Sequence, residues 1–363
     1  MSYQPEPVFD HGTPARIGLL LCNLGTPEAP TPAATRKYLA QFLSDPRVIE
    51  IPKLAWWPIL HGIILRTRPA ASAKKYASIW MKEGSPLMVW TQRQATLLQG
   101  YLGERGHQLI VRHAMRYGQP SIASQLDALR AAGATRILVL PAYPQYCAAT
   151  TASVVDDVAR WALTHRHLPE LRFVNRYHDH PAYIAALADS VRQHWQKEGR
   201  ADMLVMSFHG MPARSLTLGD PYHCECLKTG RLLAEALGLS PAQYKVTFQS
   251  RFGKARWLEP YTEPTLRSLA GNGLKSVDLI CPGFAADCIE TLEEIDMEAR
   301  EAFLHSGGQR FSYIPCLNDS PQHIRALTAV VEQHLQGWPT QATPDTAALA
   351  RQRDAALMLG ASR

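Results

Sequence analysis

No apolar stretch of the chain approaches the roughly 20 residues that a membrane-spanning helix needs. The opening segment, Met1 to Thr13, is polar and lacks the apolar core of a signal peptide, so a cytoplasmic, water-soluble protein is expected. The formal charge of +6 is spread out, with no Lys/Arg block and no aromatic-plus-basic motif, so nucleic acid is not an expected partner. There is no GxGxxG after a strand and no GxxxxGK(S/T), which removes the main support for a nucleotide ligand. HExxH and paired CxxC are also missing, which leaves a zinc hydrolase remote. Seven cysteines, an odd number without framework spacing, read as free thiols, the Cys224 and Cys226 pair included.

What is present suits a large buried core: 363 residues, 46% hydrophobic and 19% charged. Short β-rich runs recur at Ile17 to Cys22, Leu109 to Ala114, Ile137 to Leu140, Leu171 to Val174, Met203 to Met206, Tyr244 to Phe248, Val277 to Ile280 and Phe311 to Ile314. Between them lie helical patterns such as Ile122 to Ala131, Tyr183 to Trp195, Arg231 to Leu237 and Leu292 to Phe303. That alternation predicts an α/β protein with parallel sheets covered by helices. The pattern runs twice, with a polar break at Thr164 to Glu170. We therefore expect a short N-terminus over 1–14, one doubly wound domain over 15–165, a second over 166–337 and a tail over 338–363, with a cleft between the domains.

Ligands of open α/β sheets bind at the carboxyl ends of the strands, so the strand exits carry the functional candidates. His209 follows the run Met203 to Phe208, and Gly210 after it suits close backbone approach to a ligand. A lone histidine there is more often structural. Glu290, Glu294 and Glu298 recur every four residues, which puts them on one helix face with about 40° of drift per step. A π-bulge would straighten that stripe, which could then pass a hard cation along oxygen ligands. A solvated acidic face is the ordinary alternative, given Glu293 and Asp296 beside it. In Pro52 to Leu65, Trp56, Trp57, Ile59, Leu60, Ile63 and Ile64 crowd together between Lys53 and Arg66. That segment can serve as core, as a cleft lid or as a peripheral membrane contact.

The motifs at these exits resemble those of the ferrochelatases, over roughly Ile17 to Leu335. The similar segments are Asn23-Leu24-Gly25-Thr26-Pro27, Met115-Arg116-Tyr117, Tyr143-Pro144-Gln145-Tyr146, Ser207-Phe208-His209-Gly210, Gln249-Ser250-Arg251, Trp257-Leu258-Glu259-Pro260 and Asp287-Cys288-Ile289-Glu290-Thr291-Leu292. The resemblance implies two Rossmann-like domains with a porphyrin between them. It implies His209 and Glu290 as the catalytic and metal-site pair, with Glu294 and Glu298 as a metal path behind them. It gives Arg68, Tyr76 and Ser85 as porphyrin contacts, with Arg66 competing for the place of Arg68. Arg116 joins them as a propionate partner, and Leu24, Tyr117, Phe208 and Trp257 as walls for the ring.

The implied reaction is insertion of Fe²⁺, the substrate metal, into protoporphyrin IX to form protoheme, with ring distortion and loss of two pyrrole protons. Two departures matter: Cys288 stands where eukaryotic members usually have His, and no cysteine follows Gly337, so an iron–sulfur cluster is not expected. Competing readings are a chelatase for coproporphyrin or sirohydrochlorin and a non-catalytic tetrapyrrole or metal carrier. Oligomeric state is left open.

Overall fold

The computed structural model describes residues 3–253 and 255–362. Eight strands fall where the β-rich runs predict: β1 (Arg16–Gly25), β2 (Leu109–Tyr117), β3 (Ala134–Pro141), β4 (Glu170–Phe173), β5 (Met203–His209), β6 (Tyr244–Gln249), β7 (Ser276–Ile280) and β8 (Arg310–Ile314). They form two four-stranded sheets, ordered β2-β1-β3-β4 and β6-β5-β7-β8, so one topology is used twice. Every pairing of these strands is parallel. The sequence reading of two doubly wound α/β units therefore holds.

Alternation along each strand divides the core into three layers. Leu20 and Cys22 of β1 pack with Ile122, Leu126, Val154 and Trp161 on the outer face of the first sheet. Val205 and Leu279 pack with Leu266, Ile295 and Phe303 on the outer face of the second. The inner faces share one cluster, in which Leu19, Leu21, Leu138 and Leu140 join Leu204, Met206, Phe208 and Ile314 through Leu98, Leu187 and Val331. The two halves are thus fused by a continuous apolar core along one side, and the cleft opens at the strand ends.

The boundary expected at 165/166 falls too early. β4 pairs with β3 in register from Arg136–Glu170 to Val139–Phe173, so the chain leaves the first sheet only after Phe173. The polar break read as a linker is the loop between helix Ser153–Ala162 and the four-residue edge strand that begins at Glu170. The tail forms a helix, Thr346–Met358, whose Asp345 side chain caps the backbone of Ala348. Among the described residues no helix is long and apolar enough to cross a membrane.

Candidate active site

A cavity of about 530 Å³ opens at the carboxyl ends of β5 and β6. His209, Glu290, Glu294, Glu298 and Arg68 all line it, so the histidine and the whole acidic stripe meet in one place. Arg68 lines this cavity and Arg66 does not.

His209 ends β5, where it pairs with Gln249 of β6. Its Nδ1 donates to the carbonyl of Gly210 at 2.7 Å; a carbonyl only accepts, so Nδ1 carries a proton, and in the neutral imidazole the lone pair sits on Nε2. Gly210 is required by the packing of the protein itself. Its N–H bonds the Gln249 carbonyl at 2.7 Å, and a Cβ there would collide with that oxygen and stand 3.1 Å from the Trp257 ring.

The carboxylates ride on a helix that changes pitch. A short α-turn, Ile289–Leu292, runs into a π-helix, Glu294–Ala299, and back to an α-helix at Arg300–His305. A four-residue step overshoots a turn of 3.6 residues and undershoots the wider π turn, so the drifts oppose and the stripe straightens. Asp287 anchors the start of this helix: it accepts hydrogen bonds from Thr291 at 3.0 Å, from Asn318 at 2.6 Å and from the hydroxyl of Tyr313. Gln249 reaches from β6 to the Glu290 carbonyl at 2.7 Å while accepting from Ser207. Ser250, at φ +62°, turns both its N–H and its hydroxyl onto Glu294. Burial raises the Glu294 carboxyl above the usual range, against the pull of Ser250 and the nearby His209.

Asp287, Gln249 and Ser250 were motif positions without a role in the sequence; their function is to aim other side chains, which spacing does not reveal. Among the described residues no three His, Cys, Asp or Glu groups close into a ready metal cage, so a cation here meets an open set of ligands.

The remaining candidates divide by depth. Leu24 packs across the cleft edge with Leu87, Ala286, Phe284 and Cys288, which places the unusual cysteine in an apolar seam between the halves. Ser85 is buried and accepts from the Thr26 hydroxyl at 2.8 Å. Tyr76 is buried edge-on to Tyr38, and its phenol is pushed well up by burial, then by Tyr38 and Glu290. Trp257 lies over Gly210, half-buried.

Two expectations fail. Arg116 does not reach the cavity: its guanidinium is buried on Asp45 at 2.6 Å and Ser153 at 2.7 Å, with the Tyr117 hydroxyl also donating to Asp45 at 2.8 Å. A buried guanidinium without a counter-ion would be too costly, so this pair serves the interior. Phe208 faces the shared core, because strand alternation turns it away from the side that His209 takes.

All seven cysteines are free thiols, and Cys224 is exposed while Cys226 is buried. In the cavity mouth Arg68 stacks its guanidinium 4.6 Å over Phe252, and Arg251 stands 5.0 Å from the Tyr261 ring.

This chain has relatives. The chain is similar in fold to SirB from Bacillus subtilis, described with Fe³⁺, at a TM-score of 0.54 and 12% identity over 88% of this chain and 96% of that one. It is 65% identical to the ferrochelatase of Methylibium petroleiphilum over 99% of both chains, and 65% identical to that of Polaromonas sp. over the full length of both. The ferrochelatase of Dechloromonas aromatica is 58% identical over 99% of each chain. The ferrochelatase family model matches residues 16–335, spanning both sheets, the histidine and the acid helix, and so this chain belongs to the ferrochelatase family, the enzymes that insert iron into a porphyrin in heme synthesis.

Proposed function

We propose that the porphyrin is protoporphyrin IX and that His209 and Glu290 carry the insertion of Fe²⁺. The observation that carries this reading is the fixed tautomer of His209 in a cavity shared with the acid helix. A planar ring turns its N–H groups toward one another; distorting it offers them to a base on one face. In the neutral imidazole Nε2 of His209 offers a lone pair that takes one of the two pyrrole protons, and the Glu290 carboxylate takes the second. Fe²⁺ would arrive along Glu298 and Glu294, whose oxygens suit a hard cation, and replace the two protons in the ring.

Arg68 at the mouth is the propionate partner we favour, with Leu24 and Trp257 as walls for the ring. Tyr76, on the lip helix, and Ser85 after it are the further first-domain porphyrin contacts, while Arg116 and Tyr117 hold Asp45. No cysteine follows Gly337, and we propose that the enzyme works without an iron–sulfur cluster.

We further propose a cytoplasmic protein that touches membranes peripherally through 51–65. Leu54 is 94% exposed, Trp57 64% and Ile63 60%, between Lys53 and Arg66. The decisive assay presents protoporphyrin, coproporphyrin and sirohydrochlorin with Fe²⁺, Zn²⁺ and Co²⁺ and follows loss of free-porphyrin fluorescence. Fastest turnover with protoporphyrin and Fe²⁺ is expected. Preference for another ring would shift the substrate, and stoichiometric binding without turnover would make the chain a carrier.

A further inference from the structure

We propose that Lys75 is a built-in competitor of the incoming metal ion: its ammonium holds the outer end of the carboxylate row and sets the affinity with which that row takes up a divalent cation. The inference rests on the reading of the acid helix as the metal path.

Lys75 stands on the lip helix Leu65–Ile79, seven residues after Arg68. Positions seven apart lie on one face of an α-helix, with about 20° of drift, and both cations line the cavity. Arg68 is engaged with the Phe252 ring. Lys75 crosses to the second domain, where Nζ lies 2.9 Å from Glu293 Oε1 and 2.8 Å from Glu298 Oε1. The Glu293 side chain is 10% exposed and that of Glu298 is 56% exposed, so the ammonium spans from the inner wall of the cavity to solvent. Glu294 is held by Ser250 and Glu298 is the exposed member of the row, so the Lys75 bridge stands at its solvent end.

An ammonium at this distance from two carboxylate oxygens fills the place where a small divalent ion or its bound water would be coordinated. A dication outbids a single positive charge for carboxylates, yet the lysine is tethered. Its effective concentration at Glu298 is in the millimolar range or above, whatever the concentration of free metal. The outer carboxylates therefore remain neutralised until a metal ion displaces the ammonium, and cations bound too weakly to displace it are turned away. Exchange also frees the ion pairs by which Lys75 ties the lip helix to Glu293 and Glu298.

The test uses the full-length protein with Lys75→Met, which removes the charge and keeps the length, and Lys75→Arg, which restores the charge. Mn²⁺ binding to the porphyrin-free protein is measured by electron paramagnetic resonance, and the metal KM by porphyrin fluorescence. In Lys75→Met the Mn²⁺ Kd and the metal KM should both fall by roughly three- to tenfold, more than any change in kcat, and Lys75→Arg should return both toward wild type. Unchanged or weakened Mn²⁺ binding in a Lys75→Met protein with wild-type Tm would overturn the proposal, because a purely structural tie would move Tm and kcat instead. Should Lys75→Met fail to fold, Lys75→Gln carries the same prediction. A wild-type protein that inserts no metal, but whose Mn²⁺ affinity still rises in Lys75→Met, would sink the assigned reaction and leave the competitor standing. Normal insertion with an unmoved metal KM would sink the competitor alone.

Discussion

Ser250 gives Glu294 two hydrogen bonds, one from its backbone N–H at 2.6 Å and one from its hydroxyl. It does so from φ +62°, a left-handed conformation that costs a non-glycine residue energy and is kept only where the surroundings require it. The strained turn fixes the middle carboxylate of the row against β6. Ser250→Ala keeps the backbone bond and removes the other, a loss of about 1–2 kcal/mol of anchoring. The metal KM should then rise about fivefold or more with Tm nearly unchanged, measured by porphyrin fluorescence against metal concentration.

His209→Ala removes the imidazole that lines the cavity. Positioned proton transfer contributes about 10²–10⁴ in rate, so kcat should fall by at least two orders of magnitude while porphyrin binding persists. Turnover near wild type in this variant would remove His209 from the mechanism.

The strands and the repeated unit were legible because parallel, doubly covered strands are near-continuous apolar runs, and all eight were found where such runs occur. β4 was assigned to the wrong unit because its partner is set by a long-range pairing with β3, which no local pattern encodes. His209 and the acidic stripe were visible as residue types at meaningful spacing, but that spacing shows only that a π-turn would align the stripe, not that one forms at Glu294–Ala299. Arg116 misled for a physical reason: a sequence shows a cation at a strand exit but not Asp45, 71 residues upstream, which neutralises it. Lys75 was passed over because its partners lie 218 and 223 residues away, across the cleft.

Gly210 tests the packing beneath His209. A methyl group there meets the Gln249 carbonyl and the Trp257 ring, and neither has room to yield while Gln249 also holds the Glu290 backbone. Gly210→Ala should cost about 1–3 kcal/mol, read as a lowered Tm, and should lower kcat as well because Gln249 shifts. A wild-type Tm would show that this contact is looser than the backbone implies.

Stability should fall in mild acid, and His323 gives part of the reason. Fully buried, with Nδ1 donating to the Asn318 carbonyl at 2.7 Å, it has its pKa pushed down by burial from 6.5 to about 4, although the Asn318 bond works the other way. Above about pH 6.5 neither the folded nor the unfolded form is charged, and the full stability is present. As pH falls from 6.5 toward 4 the unfolded chain takes up a proton that the folded one refuses, so stability is lost across that window. Between pH 6.5 and 5 the loss from this one group is about 2 kcal/mol. His323→Gln should flatten the dependence of Tm on pH over that range, and an unaltered slope would assign the acid lability to other groups. Asn318 also binds Asp287, so the same acid range should loosen the base of the helix that carries Glu290.

The apolar segment 51–65 gives the last prediction. Trp56 and Leu60, four residues apart, turn inward: Trp56 donates to the Leu43 carbonyl at 2.7 Å, and Leu60 packs with Leu43 and Leu65. Leu54 and Trp57, three apart, turn outward, Trp57 with the His61 ring beside it at 4.8 Å, so the segment is held firmly on one side and largely bare on the other. Exposed side chains of this size gain about 1.5–3 kcal/mol each on leaving water, and each nearby Lys or Arg adds about 1 kcal/mol at an anionic surface. The sum suits reversible binding to anionic vesicles, weakened by salt and weaker still on neutral ones. Leu54→Ser with Trp57→Ser should cut vesicle binding more than tenfold in a flotation assay and leave iron insertion in detergent-free buffer intact, since neither residue lines the cavity. A wild-type protein that stays with the aqueous fraction at low salt would show that this face has another use.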